Sequence, residues 1–224
     1  MPKTGVIIVA GGSGTRMGAS LPKQFISIDG KEILVRTLEK FLSALPEAEI
    51  VVVLPGEEIK HWEEIITRHN LKGTHRWCKG GRTRFLSVKN GLASLGDCDY
   101  IAVHDGVRPL VSVEMIGKCF EVAESYGTAI PVVEPADSFR IMKGDRAEIV
   151  DRSLLRAVQT PQVFRSDILR AAYSAEYSPM FTDDASVVER HGTLLSFCMG
   201  EYRNIKITRP DDLIFAEAMV REEN

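Results

Sequence analysis

Four runs of strand length are apolar and rich in β-branched residues along their whole extent: Gly5 to Ala10, Ile50 to Leu54, Tyr100 to Val103 and Ala129 to Val133. Runs without polar alternation belong to strands covered on both faces. Between them the apolar residues recur at helical spacing, at Ile33, Leu34, Thr37, Leu38, Phe41 and Leu42, then at Ile59, Trp62, Ile65 and Ile66, and later at Met115, Ile116, Cys119, Phe120 and Ala123. Strand and helix alternate, which predicts right-handed crossovers and an α/β fold: a mostly parallel sheet with helices on both faces. Ligands of such sheets bind outside the carboxyl ends of the strands. The loops after Ala10 and after Val103 are therefore the places to look for chemistry.

The pattern changes after Val133. Residues 134–158 carry Asp137, Arg140, Lys143, Asp145, Arg146, Glu148, Asp151, Arg152 and Arg156 around a Lys143-Gly144-Asp145 turn, which predicts a polar β-hairpin projecting from the sheet. It is too short to be a domain, so residues 1–224 read as one domain with an arm at about 134–158. Helical patterns resume at Asp167 to Tyr173 and at Asp183 to His191, the latter with Thr182 as N-cap. A last helix opens with Thr208 as N-cap, Pro210 in the first turn and Asp211 three residues on, ahead of Leu213, Phe215, Ala216 and Met219.

Composition narrows the class. At 44% hydrophobic, 224 residues can bury a sizeable core, and a net charge of −3 excludes the basic footprint of a polymer nucleic-acid binder. Any anion site must be a local gathering of cations. Cys78, Cys98, Cys119 and Cys198 are widely spaced, with no Cys-x-x-Cys pair, so neither a zinc site nor a disulfide framework is expected. No apolar run reaches membrane-spanning length, and a strand begins within a few residues of Met1. The expectation is a cytoplasmic protein with no membrane partner.

The densest chemistry follows the first strand: Ala10-Gly11-Gly12-Ser13-Gly14-Thr15-Arg16-Met17-Gly18, then Leu21-Pro22-Lys23-Gln24. Glycines let backbone N–H groups approach anionic oxygens closely, while Arg16 offers a planar fork of donors and Lys23 a point charge. This is a phosphate cradle, although a glycine turn with two solvated cations would look similar in isolation. A Walker loop would end in Gly-Lys followed by Ser or Thr, and a dinucleotide loop would bring its third glycine one residue earlier than Gly18. Neither a P-loop kinase nor an NAD enzyme is favoured.

Ala-Gly-Gly-x-Gly-Thr-Arg-Met followed by Pro-Lys-Gln resembles the opening of the nucleotidyltransferases that join a nucleoside triphosphate to a sugar or polyol phosphate, and within them the 2-C-methyl-D-erythritol 4-phosphate cytidylyltransferases. Further stretches agree in order: Gly80-Gly81-Arg82-Thr83-Arg84-Phe85-Leu86-Ser87-Val88, Val103-His104-Asp105-Gly106-Val107-Arg108-Pro109, Asp151-Arg152 with Gln159-Thr160-Pro161-Gln162, Thr182-Asp183-Asp184-Ala185-Ser186, and Asn204-Ile205-Lys206-Ile207-Thr208-Arg209-Pro210. Asp151-Arg152-Ser153-Leu154-Leu155 resembles this family more than the related ribitol 5-phosphate cytidylyltransferases. A non-catalytic nucleotide-binding regulator is the rival of another class, and Arg16, Lys23, Asp105 and Lys206 argue against it.

The resemblance implies a Mg²⁺-dependent, homodimeric enzyme that joins CTP and a polyol phosphate, and it assigns roles residue by residue. Arg16, Lys23 and Lys206 are the catalytic candidates, the first two stabilising the pentacoordinate α-phosphate. Ala10, Gly11, Gly12, Gly14, Thr15, Gly81, Ser87 and Gly106 match nucleotide-binding positions. Asp105, Arg108, Ser138, Arg152, Thr182 and Lys206 match the acceptor site, and Asp105 is the candidate metal ligand. The arm would embrace a second subunit. Ser138 stands where the family usually has threonine, which keeps the hydroxyl, and the connection before it looks longer than usual. His104 is expected to be structural, because an ionised acceptor phosphate needs no general base.

Overall fold

The four apolar runs become the centre of one eight-stranded sheet. The computed structural model describes residues 2–11 and 21–223. In chain order the elements are β1 (Thr4–Val9), β2 (Ser27–Ile28), β3 (Lys31–Glu32), α1 (Ile33–Ala44), β4 (Glu49–Leu54), α2 (Ile59–Arg68), β5 (Arg76–Lys79), α3 (Arg84–Ser94), β6 (Tyr100–Asp105), α4 (Val113–Tyr126) and β7 (Thr128–Val133). After these come β8 (Arg140–Lys143), β9 (Arg146–Ile149), β10 (Ala157–Val158), β11 (Gln162–Arg165), α5 (Ser166–Ala172), α6 (Asp184–Arg190), β12 (Phe197–Met199) and α7 (Pro210–Glu223).

The sheet runs β10-β7-β11-β6-β1-β4-β5, with β12 on the other edge of β7. Strands β6, β1, β4 and β5 are mutually parallel, as are β7 and β12, while β11 and β10 run against their neighbours. The expectation of a mostly parallel sheet with helices on both faces holds. Side chains alternate along each strand. Val6, Ile8, Val52 and Ala102 face α1, α2 and α4 through Leu38, Phe41, Trp62, Ile65, Ile116 and Phe120. Ile7, Val51, Val53, Ile101 and Val103 face α3, α5 and α6 through Phe85, Val88, Leu92, Leu169, Ala172 and Val188. Each such Val or Ile, wholly removed from water, contributes about 1.5–3 kcal/mol.

Strands β5, β10, β11 and β12 escape the sequence pattern. They have two to four residues each, too few to display a period, and β11 brings the polar Gln162 into the interior. The hairpin does form: Lys143 pairs with Arg146 across a two-residue turn in which Gly144 has φ +61°, and both strands are exposed throughout. No described helix is long and apolar enough to cross a membrane.

Two helix starts differ from expectation. The N-cap of α6 is Asp183, whose carboxylate accepts from Ser186 N–H in a capping box, and Thr182 precedes it. At α7 the carboxylate that closes the first turn is that of Asp212, which accepts from the N–H groups of Thr208 (2.7 Å) and Arg209 (2.8 Å), and not that of Asp211. In both places neighbouring residues of similar type compete for one role, and backbone direction decides between them.

Candidate active site

The carboxyl ends of β1, β4, β5 and β6 converge, and the loops that leave them are tied to the sheet. Ala10 N–H donates to Val53 O at 2.9 Å, Gly80 N–H to Leu54 O at 2.8 Å, and Gly106 N–H to Val9 O at 2.9 Å. Beyond these ends lies a cavity of about 220 Å³ lined by Val9, Ala10, Gly11, Lys23, Gln24, Gly81, Arg82, Thr83, Arg84, Ser87, Asp105, Val107 and Lys206. The side chains of Lys23, Arg82, Arg84 and Lys206 and the backbone of the Gly11 and Gly81 loops are among its lining.

One wall is the start of α3. Thr83 caps the helix by accepting from Leu86 N–H, and Ser87 Oγ accepts from Gly81 N–H at 3.1 Å while donating to Thr83 O at 3.0 Å. The loop is so tight that a Cβ on Gly81 would lie 2.3 Å from the Leu86 Cβ, hence glycine there. Gln24 is buried on another side, and neither atom of its amide has a hydrogen-bond partner among the described residues.

Asp105 ends β6 at the floor. Lys206 Nζ lies 2.8 Å from its Oδ2, Arg108 Nε 3.5 Å from the same oxygen, and Arg84 Nε 3.5 Å from Oδ1. Burial pushes this carboxyl up, but Arg84, Lys206 and Arg108 together outweigh it and hold it well below the usual carboxylate range. It is ionised at any pH near neutrality. Arg108 is itself mostly buried and donates to Asn204 O at 2.7 Å; Asn204 in turn donates to Thr160 O at 2.8 Å.

His104 belongs to the framework. Its Nε2 faces the Arg108 carbonyl at 3.2 Å, which can only accept, so Nε2 carries the hydrogen and Nδ1 accepts from the Thr160 hydroxyl at 3.1 Å. The same hydroxyl oxygen accepts from Asp105 N–H at 3.1 Å. Complete burial lowers the His104 pKa to about 3, leaving a neutral ring that fixes the strand end carrying Asp105.

The cavity gathers Ala10, Gly11, Lys23, Gly81, Ser87, Asp105 and Lys206, and Gly106 and Arg108 adjoin it through Asp105. Gly12, Gly14, Thr15 and Arg16 lie outside the described residues. Thr182, Ser138 and Arg152 do not line it: Thr182 sits exposed before α6, Ser138 is exposed, and Arg152 donates to Ala136 O at 2.7 Å on the hairpin side. Sequence reasoning gave no role to Arg84. It was visible only as one cation within the Gly80 to Val88 stretch, because the partner that fixes it, Asp184, is 100 residues away. Burial lowers the Arg84 pKa, yet Asp184 and Asp105 more than reverse this, so its charge is secure.

Among the described residues no three His, Cys, Asp or Glu side chains gather as a metal centre, and Asp105 is the carboxylate that lines the cavity. A lone ionised carboxylate is a donor set that suits Mg²⁺ only when phosphate oxygens and water complete its coordination.

Comparison with known proteins points to one family. A family model described as IspD: 2-C-methyl-D-erythritol 4-phosphate cytidylyltransferase matches residues 4–222. A protein of Bacteroides thetaiotaomicron bearing the same enzyme name is 45% identical over 218 residues, covering 97% of this chain and all of the relative. One of Clostridium botulinum with that name is 40% identical over 218 residues, covering 96% and 97%. The solved structure of 4-diphosphocytidyl-2C-methyl-D-erythritolsynthase from Anaerococcus prevotii superposes with a TM-score of 0.83 at 29% identity, covering 98% of this chain and 96% of that one. That of 2-C-methyl-D-erythritol 4-phosphate cytidylyltransferase from Thermus thermophilus gives 0.79 at 31% identity, covering 99% and 100%. A family model over residues 4–222 and relatives 40% and 45% identical over nearly the whole chain agree, and the chain belongs to the 2-C-methyl-D-erythritol 4-phosphate cytidylyltransferase family.

Proposed function

We propose that this cavity transfers a cytidylyl group from CTP to 2-C-methyl-D-erythritol 4-phosphate, giving 4-diphosphocytidyl-2-C-methyl-D-erythritol and pyrophosphate for non-mevalonate isoprenoid synthesis. The observation that carries the reading is the pairing of an ionised Asp105 with Lys206 in a cavity that also holds Gly11, Lys23, Gly81 and Ser87. Nucleotidyl transfer asks little covalent chemistry of a protein; it asks that charge on the transferring phosphorus be neutralised and that attacking and leaving oxygens be held in line.

On this reading an acceptor phosphate oxygen attacks the α-phosphorus directly, and pyrophosphate leaves. The acceptor phosphate is already ionised, so no side chain needs to remove a proton, in keeping with His104 being neutral and held by Thr160 and Arg108. Lys23, with Arg16 by family position, stabilises the charge that builds on the α-phosphate. Gly11, Gly12, Gly14 and Thr15 cradle the triphosphate beside Ala10 and Gly106, and Gly81 and Ser87 form the cytosine side. Mg²⁺, when bound, would be held by Asp105 together with phosphate oxygens and would neutralise triphosphate charge.

The acceptor is held by Arg108, Thr182 and Lys206, and by Ser138 and Arg152 from the arm of a second subunit. The exposure of both arm strands supports this arrangement, since nothing in their own subunit covers Ile141, Met142 or Ile149 among the described residues. The chain is then one domain with a dimerisation arm at 134–158, and the enzyme is cytoplasmic, as suits soluble anionic substrates. Pyrophosphate release with CTP tests the function: turnover is expected with 2-C-methyl-D-erythritol 4-phosphate. Turnover with ribitol 5-phosphate alone, or with neither acceptor, would overturn the reading.

A further inference from the structure

Arg84 makes the most heavily invested side-chain pairing at the cavity wall, and the reaction as outlined does not use it. Its Nη1 donates to Asp184 Oδ1 at 2.9 Å and its Nη2 to Asp184 Oδ2 at 2.7 Å, a fork-to-fork pairing. Asp184 has no solvent exposure, and its Oδ1 also accepts from the Tyr173 hydroxyl at 2.6 Å. The remaining edge of the guanidinium, Nε, turns toward Asp105 Oδ1 at 3.5 Å. Arg84 is the first residue of α3 and Asp184 the first residue of α6, so the pair bolts together the N-termini of two helices far apart in sequence.

A row of rings backs the bolt. Phe85 stacks on Tyr173 at 4.8 Å between centroids and on Phe181 at 5.4 Å, and Phe181 is followed directly by Thr182. The Thr182 N–H is fixed on Ser186 Oγ at 3.1 Å, within the first turn of α6. Through Asp184 and Phe181 the start of α6 is thereby tied to the start of α3, the same turn that shapes the Gly81–Ser87 wall. Gln162 of β11 holds it from the sheet, donating to Asp183 Oδ2 at 2.8 Å and accepting from Ala185 N–H at 2.8 Å. Arg84, Arg108 and Lys206 face Asp105 and Asp184, three cations against two carboxylates, so the cluster retains positive charge toward the cavity.

We infer that Arg84 is a positioning residue: through its paired bonds to Asp184 it holds the Thr182 end of α6 in register with the nucleotide loop of α3, and so aligns the phosphorylated acceptor with the nucleotide. The inference rests on the cytidylyltransferase reading of the site. A buried, bidentate guanidinium is not replaceable by an ammonium of equal charge, because lysine offers no planar fork to two carboxylate oxygens. Misalignment of an acceptor by a fraction of an ångström lowers rate without disturbing the binding of the other substrate.

The test is Arg84→Lys in the full-length protein, with Tyr173→Phe as a milder variant that keeps the ring stack and removes one bond to Asp184. For Arg84→Lys, KM for 2-C-methyl-D-erythritol 4-phosphate should rise about tenfold or more and kcat fall by about the same factor, while the Kd for CTP alone stays within about threefold. Tyr173→Phe should move the same quantities in the same direction by about two- to fivefold. Should Arg84→Lys fail to fold, Tyr173→Phe and amide hydrogen exchange of residues 182–188 still decide the matter, with faster exchange there expected. A rise in the Kd for CTP with acceptor KM unchanged would assign Arg84 to nucleotide binding and overturn the inference; unchanged substrate constants with only a lower Tm would reduce it to a structural pair. Absence of turnover in the wild type would fault the function instead, and the exchange measurement would still report whether Arg84 holds α6.

Discussion

Lys206 Nζ lies 2.8 Å from Asp105 Oδ2, so the segment ahead of α7 is drawn onto the end of a central strand more than 100 residues earlier. The Lys206 side chain is 42% exposed, whereas the Asp105 side chain is 10% exposed. The buried carboxylate therefore anchors the ammonium of a partly exposed lysine at the cavity.

Replacing Asp105 by Asn removes the charge around which Arg84, Arg108 and Lys206 are arranged. Turnover should fall by about 100-fold or more, and the dependence on Mg²⁺ should weaken, because an amide is a poorer ligand than a carboxylate. Activity measured across a Mg²⁺ titration checks this. A titration curve like that of the wild type would remove Asp105 from metal binding and leave it as the anchor of the three cations.

If Lys23 and Arg16 act on charge that develops during transfer, Lys23→Ala and Arg16→Ala should each lower kcat by on the order of 10² to 10³ with a smaller change in CTP affinity. Steady-state kinetics beside a direct measurement of CTP binding separates the two effects. Normal kcat with a raised KM for CTP would make either residue a binding group.

Two buried histidines make the fold less stable in mild acid. Burial lowers His75 to about 4 and His104 to about 3, against an ordinary value of 6.5. Below pH 6.5 the unfolded chain takes up protons that the native rings refuse, so stability falls as pH drops, by about 1.4 kcal/mol per histidine per pH unit, down to about pH 4 for His75 and about pH 3 for His104. Urea unfolding at pH 7 and pH 5 should record this loss, and His104→Gln should reduce its slope by about one proton. An unaltered slope would mean that His104 is already protonated in the native state.

If the arm reaches into a partner, each site combines Asp105 of one subunit with Arg152 of the other. Asp105→Ala and Arg152→Ala should then be inactive separately and regain roughly a quarter of wild-type activity per site when refolded together, because about half the dimers are mixed and each mixed dimer holds one intact site. A mixture as inactive as its parents would assign Arg152 to its own subunit.

Continuous apolar runs sufficed to predict β1, β4, β6 and β7, because a strand covered on both faces favours apolar residues at successive positions, and helical spacing predicted α1, α2 and α4. The glycine and cation run after β1 is readable as a candidate phosphate cradle from local order alone, since such a cradle is built from consecutive backbone groups; residues 12–20 of it lie outside the described residues. Tertiary structure decided what consecutive residues cannot encode. The choice of Asp183 over Thr182 as the cap of α6 depends on which residue has extended backbone where the helix begins. The antiparallel insertion of β11 between β6 and β7 is a matter of pairing partners. Arg84 became more than a surface cation, and Asp105 more than the end of a strand, only when folding brought Asp184 and Lys206 to them and withdrew the water that would have solvated each charge alone.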